Sequence, residues 1–434
     1  MTPPPRVVPA RERLAALRHD LAPILATAGV RAYATLTGIA ALALTARLLG
    51  PTGRGVVAGG TAWATLVAGL AHLSVAQVVV REAAREPGGP WLRAHFANVL
   101  LVGAVASLLG WCGVAIVHGA TGGAAFGDLP LLALVVGQLL VPFLVLETFA
   151  TTMLPAAGAL ASLNVAQLVN RTLAIVCLVA LVAWARFGTI GALVATLAGQ
   201  VVAGAIVVRR LRRAGGHASR VHPASLRTLL VGGAQLHLNA VGSVLLANAD
   251  VLVVQQAQGA QATGLYQLAV QAAALPLVVS QAAQVVFYGR VGTLGPDAAW
   301  RATRRAMVAV VALVAVGALT AGVLAPWLVQ LLAGDRFADT VPLLRLLLLG
   351  TVAQSFSMLM APQWIGRGLF AAASGITLGL GVATYAALQL VVPAHGARGA
   401  AATVAVAHGV TLLVNVAFAV WITRRQRAAA LPGA

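Results

Sequence analysis

The sequence predicts an all-α integral membrane protein of about twelve transmembrane helices in two six-span halves. Three observations predict it. Of 434 residues, 60% are hydrophobic and 9% charged, against about 25% charged in a soluble domain. Apolar runs of roughly 20 residues, the length that crosses a bilayer, recur about twelve times. The chain also repeats itself: Ala76-Gln77-Val78-Val79 returns as Ala283-Gln284-Val285-Val286, and Gly188-x-x-Gly191-Ala192 as Gly396-x-x-Gly399-Ala400. Met153-Leu154-Pro155 with Gly158 returns loosely as Met360-Ala361-Pro362 with Gly366. Three matches near one offset argue for two halves in parallel orientation, an architecture of transporters with substrate at the interface of the repeats.

In order, residues 1–28 form a Pro-rich, then charged tail without the apolar stretch and cleavage site of a signal peptide. Spans are expected over 29–50, 55–80, 95–117, 129–153, 161–184 and 189–208, an N-terminal lobe of 29–208. Residues 209–225 are a basic linker. Spans over 226–254, 264–288, 304–333, 341–362, 369–393 and 399–422 make a C-terminal lobe of 226–422, and 423–434 is a tail. The stretch 225–290 reads as two spans joined by a tight polar turn, Gln255 to Gln261.

The net charge of +19 comes from arginine alone, since the chain has no lysine. A basic total suggests nucleic acid, but these charges sit in short segments between apolar spans and point to topology and anionic headgroups. With the N-terminus in the cytoplasm, 21 of the 29 arginines fall in inside segments and 5 outside (Arg54, Arg186, Arg336, Arg345 and Arg398). That bias puts both termini in the cytoplasm. Cys112 and Cys177 lie in apolar runs with no metal or redox spacing.

Several motifs resemble one family. Arg47-Leu48-Leu49-Gly50-Pro51 with Gly55 follows the first span, and Thr263-Gly264-Leu265-Tyr266 with Ala269 opens the eighth. Phe337 to Arg345 opens the tenth, and Pro393-x-x-Gly396-x-x-Gly399-Ala400-Ala401 makes the last turn. In order and spacing these resemble the Wzx-type lipid-linked oligosaccharide flippases of the multidrug/oligosaccharidyl-lipid/polysaccharide superfamily, over nearly the whole chain. The resemblance implies a V-shaped pair of six-helix lobes around a central cavity. It also implies alternating access that moves a polyprenyl-pyrophosphate-linked saccharide between leaflets of a bacterial inner membrane. A monomer without cofactor or metal completes the expectation, and coupling to a cation (proton or sodium) stays open.

An anionic headgroup in the membrane interior calls for arginine, whose planar fork matches phosphate oxygens. Arg31 shares a first-span face with Thr35, Gly38 and Thr45, and is either a phosphate contact or a snorkelling residue. Arg171 shares a fifth-span face with Asn164 and Gln167, and either lines the cavity or pairs with Glu147. Arg47 reads as a turn residue. The seventh span carries Gln235, Asn239, Ser243 and Asp250 on one face. Asp250 matches an acidic or amide position of the family at the outer end of that span. Asp250, Glu147 and Arg47 are coupling or ion-pair candidates; Gln235, Asn239, Ser243, Asn164, Gln167, Arg31 and Arg171 are lining candidates. Gln267, Gln271, Gln281 and Gln284 give a polar set on the eighth span, while His237 and Asn248 read as packing.

No enzyme motif is present: no phosphate-binding loop, nucleophile elbow or zinc helix. A membrane glycosyltransferase or polymerase would want a large outside loop, and His118 to Asp128 is short and Gly-rich with one carboxylate. The alternatives that stay open are a cation-coupled multidrug exporter and a peptidoglycan-precursor flippase.

Overall fold

The computed structural model describes residues 10–85, 91–215 and 221–429. The described elements are helical: α1 (Ala10–Ala71), α2 (Val75–Arg85), α3 (Trp91–Thr121), α4 (Leu131–Gln138), α5 (Val141–Ala156), α6 (Leu160–Leu178), α7 (Gly188–Gly215), α8 (Pro223–Ala273), α9 (Leu277–Val323), α10 (Ala325–Ala333), α11 (Thr340–Gly366) and α12 (Phe370–Ala429), with short 3-10 and π turns between. Four of these are far longer than one crossing needs. Each is broken by one glycine at positive φ: Gly50 (68°), Gly259 (76°), Gly295 (75°) and Gly396 (59°).

Divided at those glycines, the described helices form twelve spans. They cover 29–49, 51–85, 91–121, 131–156, 160–184 and 188–215 in the first half, and 223–258, 260–294, 296–333, 340–366, 370–395 and 397–429 in the second. The expected polar turn over 255–261 shrinks to one residue, since only Gly259 leaves helical space. We call the end that carries Gly50, Gly188, Gly259 and Gly396 the turn end, and the arginine-rich end the basic end.

The internal repeat is written in the backbone. Positive-φ glycines pair at separations of 207 to 210 residues: Gly50 with Gly259, Gly127 with Gly334, Gly158 with Gly368, and Gly188 with Gly396. A side chain in the left-handed region costs about 1 kcal/mol or more, so glycine marks these reversals. The mate of Gly158 is therefore Gly368 and not Gly366, which closes α11 in helical conformation.

Two large apolar clusters lie mainly one in each half, the second joined by Leu42, Ala46 and Ala62 of the first half. Phe96, Leu140, Phe149, Met153, Leu154 and Leu211 fill the first, and Leu268, Phe337, Leu344, Leu388 and Val392 pack around Tyr266 in the second. Lipid is as apolar as leucine, so membrane helices associate through close fit rather than escape from water. Small residues supply that fit. A Cβ added to Gly137 would stand 2.6 Å from the Gly60 carbonyl oxygen, and one on Gly381 2.7 Å from that of Gly242.

Three arginines near the turn end bind the carboxyl ends of helices. Arg47 donates to Leu331 O (2.6 Å), Arg336 to Arg47 O (3.0 Å) and Arg345 to Gly322 O (3.0 Å). Terminal carbonyls lack intrahelical partners and carry the negative end of the helix dipole, so a cation there is favourable.

Candidate functional site

The space between the halves is the candidate site, and its shape follows from two sets of contacts. At the turn end the second and eighth spans cross backbone on backbone. A Cβ on Gly55 would lie 1.6 Å from Ala260 O, and one on Gly264 1.9 Å from Pro51 O. Gly55 and Gly264 are 209 residues apart, so the crossing obeys the repeat. Each half also caps a broken helix of the other. Asp128 Oδ1 accepts from the Ala260 N–H (2.8 Å) and from Gln255 Nε2 (2.7 Å), placing a carboxylate at the amino end that the Gly259 break frees. In return Arg336 of the second half covers the last carbonyls of the first span.

At the basic end one contact persists. A Cβ on Gly233 of the seventh span would lie 2.3 Å from Leu73 O, and one on Gly69 2.4 Å from the Val244 side chain. Ser74 Oγ is 3.3 Å from His237 Nδ1, and His237 Nε2 is 3.0 Å from Leu70 O. His237 is thus a satisfied packing residue, as expected. Over the described residues the first span, in α1, has no comparable close packing on the start of α9, which carries the basic end of the eighth span. Among the described residues the halves are thus closed together at the turn end, and at the basic end through the second and seventh spans.

Arg31 is exposed on the first span, and Gln235, Asn239 and Ser243 are exposed along one face of the seventh. Arg171 is exposed on the fifth span, next to Thr172, whose Oγ1 meets the Tyr33 hydroxyl at 2.7 Å. On the eighth span Gly264, Gln267 and Gln271 share the face that crosses the first half, and Gln271 is exposed. Gln284 instead donates to Met358 O (2.8 Å) within the second half.

Four expectations need correction. Asp250 does not continue the exposed stripe. It is 5% exposed, with Oδ2 accepting from the Tyr266 hydroxyl (2.8 Å) and Oδ1 from the Val251 N–H (2.8 Å). Tyr266 lies across the Gly259 break, so the reversal of the chain brings the phenol over the carboxylate. Glu147 does not pair with Arg171: its Oε2 accepts from Gln200 Nε2 (2.9 Å) inside the first half. Gln167 lines the same small intralobe pocket with Glu147, Asn170 and Gln200, and Asn164 is buried, so neither shares the exposure of Arg171. Arg47 binds a helix carbonyl rather than a carboxylate.

Sequence reasoning also placed Arg54 in an outside segment. The structure buries it at 6% exposure between the halves. Its Nη1 donates to Thr45 Oγ1 (2.6 Å) on the first span, and its Nη2 to Gln271 Oε1 (2.8 Å) on the eighth. No carboxylate among the described residues pairs with it, and its Nε has no partner. The signal was Pro51: proline at the first helical position restarts the helix at once, which puts Arg54 inside the second span.

Two halves of six spans that meet in this way make the fold of solved structures from the multidrug/oligosaccharidyl-lipid/polysaccharide (MOP) superfamily. The solved structures agree. The lipid II flippase MurJ in an inward closed conformation is similar with a TM-score of 0.75 at 12% identity, over 91% of this chain and 87% of that one. An inward-facing multidrug resistance MATE family transporter gives 0.68 at 18%, over 92% and 96%. An outward-facing one gives 0.56 at 18%, over 91% and 96%. Residues 22–288 match the family described as "Polysaccharide biosynthesis protein", and the chain belongs to that family. Comparison with curated proteins returned no significant match.

Proposed function

We propose that the protein is a flippase for a polyprenyl-pyrophosphate-linked oligosaccharide, working by alternating access in a bacterial inner membrane with both termini in the cytoplasm. The observation that carries this reading is the sign of the charge between the halves. Arg54 lies between the halves and Arg31 is exposed on the first span, while Asp250 and Glu147 are turned into their own halves and satisfied by hydrogen bonds. A space rich in guanidinium and amide groups suits a pyrophosphate and a neutral saccharide. A cationic drug would want a carboxylate there. Residues 29–208 and 226–422 act as the moving lobes, joined by 209–225. The basic end then faces the cytoplasm, where the 21 inside arginines favour it.

The test is leaflet-to-leaflet movement of a fluorescent polyprenyl-pyrophosphate sugar in vesicles that hold the purified protein. Wild type is expected to move it, Arg31→Ala and Arg171→Ala to slow it, and Asp250→Asn to leave transport of correctly folded protein intact. Expulsion of a cationic dye, with no movement of the lipid sugar under any ion gradient, would replace this reading with the drug-exporter one.

A further inference from the structure

We propose that Arg54 is an anion-released tie: a pyrophosphate group in the cleft takes the guanidinium away from Gln271 and so unfastens the two halves beneath the turn-end crossing. The inference rests on the lipid-pyrophosphate reading above and adds how substrate opens the far end.

Three observations carry it. First, Arg54 is a buried guanidinium without a counterion. Its partners are a hydroxyl and an amide, and its Nε donor is unfilled. A charge buried without an opposite charge is costly, and an arriving anion relieves that cost. Second, its hydrogen bonds span the halves. Thr45 and Arg54 belong to the first half and Gln271 to the second, so the Arg54–Gln271 bond exists only while the halves are together. Third, it stands at the head of a path. Arg31, Thr35, Gly38 and Thr45 follow one face of the first span, which rises about 21 Å from Arg31 to Thr45 at 1.5 Å per residue. Thr45 is the residue that holds Arg54.

On the eighth span Gln271 is exposed, so the bond is reachable from the cleft. Four positions nearer the crossing, Gln267 keeps an unpartnered carbonyl oxygen on the same face. A ligand shifts a two-state equilibrium only through a difference in affinity between the states. Here the difference is explicit. With the halves joined, an anion must displace Gln271; with them apart, the guanidinium is free to hold it with two parallel N–H donors.

The experiment uses full-length protein in lipid nanodiscs with Cys112→Ala, Cys177→Ala and a reporter, Ala260→Cys. Ala260 is 1% exposed under the crossing, so a membrane-impermeant maleimide labels it only when the turn end opens. The probes are farnesyl pyrophosphate, farnesol as the neutral control and inorganic pyrophosphate, and binding is followed separately by thermal shift. Farnesyl pyrophosphate is expected to raise the labelling rate about tenfold with Arg54 present, and farnesol to leave it unchanged. Arg54→Gln should remove the response, and Arg54→Lys should keep part of it. Gln271→Ala should raise labelling without any probe. A response to inorganic pyrophosphate alone would support the tie and show that the free anion suffices. Binding of farnesyl pyrophosphate with the same labelling response in Arg54→Gln would overturn the tie and leave the proposed substrate standing. No binding of any pyrophosphate probe would overturn both.

Discussion

The second span against the seventh, and the eighth against the first, are the same contact one repeat apart, yet at the basic end only the former is close-packed among the described residues. At the turn end the second and eighth spans themselves cross, through Gly55 and Gly264. At the basic end Gly69 and Gly233 let the second and seventh spans close to backbone distance. Counting 209 residues on from Gly69, the eighth span carries Val278. A branched side chain in place of hydrogen keeps a helix from so close an approach. The difference teaches that a two-fold frame takes its asymmetry from single side chains, and that the close contact is the one that has the glycines.

That comparison can be broken most severely at the crossing. Gly264→Leu puts a side chain where a Cβ is already 1.9 Å from Pro51 O. It is expected to disfavour the closed turn end by about 3 kcal/mol or more, with the Ala260→Cys reporter labelled without substrate. Next in size, Gly233→Leu should part the second and seventh spans at a cost of about 1–3 kcal/mol, making the two sides alike. Spin labels at Gln77→Cys and Thr228→Cys would then show a widened distance, and an unchanged distance would mean that the glycine does not set the contact. Asp128→Ala uncaps the eighth span by removing the acceptor of the Ala260 N–H, a cost of about 0.5–2 kcal/mol. Faster hydrogen exchange at the amides of Ala260 to Thr263 would register it. Smallest, Arg367→Ala breaks the 2.7 Å pair with Asp297, whose side chain is 67% exposed. A stability loss of about 0–1 kcal/mol, read from denaturant unfolding, is expected.

The twelve spans and the repeat were legible because membrane spans advertise themselves by length and apolarity, and because chain reversals at Gly50, Gly259 and Gly396 call for glycine. Burial within a lobe was not. Gln167 and Arg171 are four apart and share a helical face by spacing, but the face is wide enough that one enters an intralobe pocket while the other stays exposed. Asp250 read as a lining residue because its partner, Tyr266, lies beyond a break whose geometry no periodicity reports. Asp128 and Arg54 looked like turn residues. Their roles depend on which half stands opposite, and that information is tertiary.

The paired glycines show how faithfully the two halves share a scaffold, and the arginines show how little chemistry they share. Two hundred and nine residues beyond Arg31 stands Ala240, and the same distance beyond Arg54 stands Thr263. On the function proposed above, motion would be duplicated and grip would belong to one half. An anionic passenger would therefore have its berth in the first lobe, and the second lobe would swing past it as a nearly uncharged wall. Opening the far side then requires no transfer of the charged head from one moving body to another, only the withdrawal of the body that never held it.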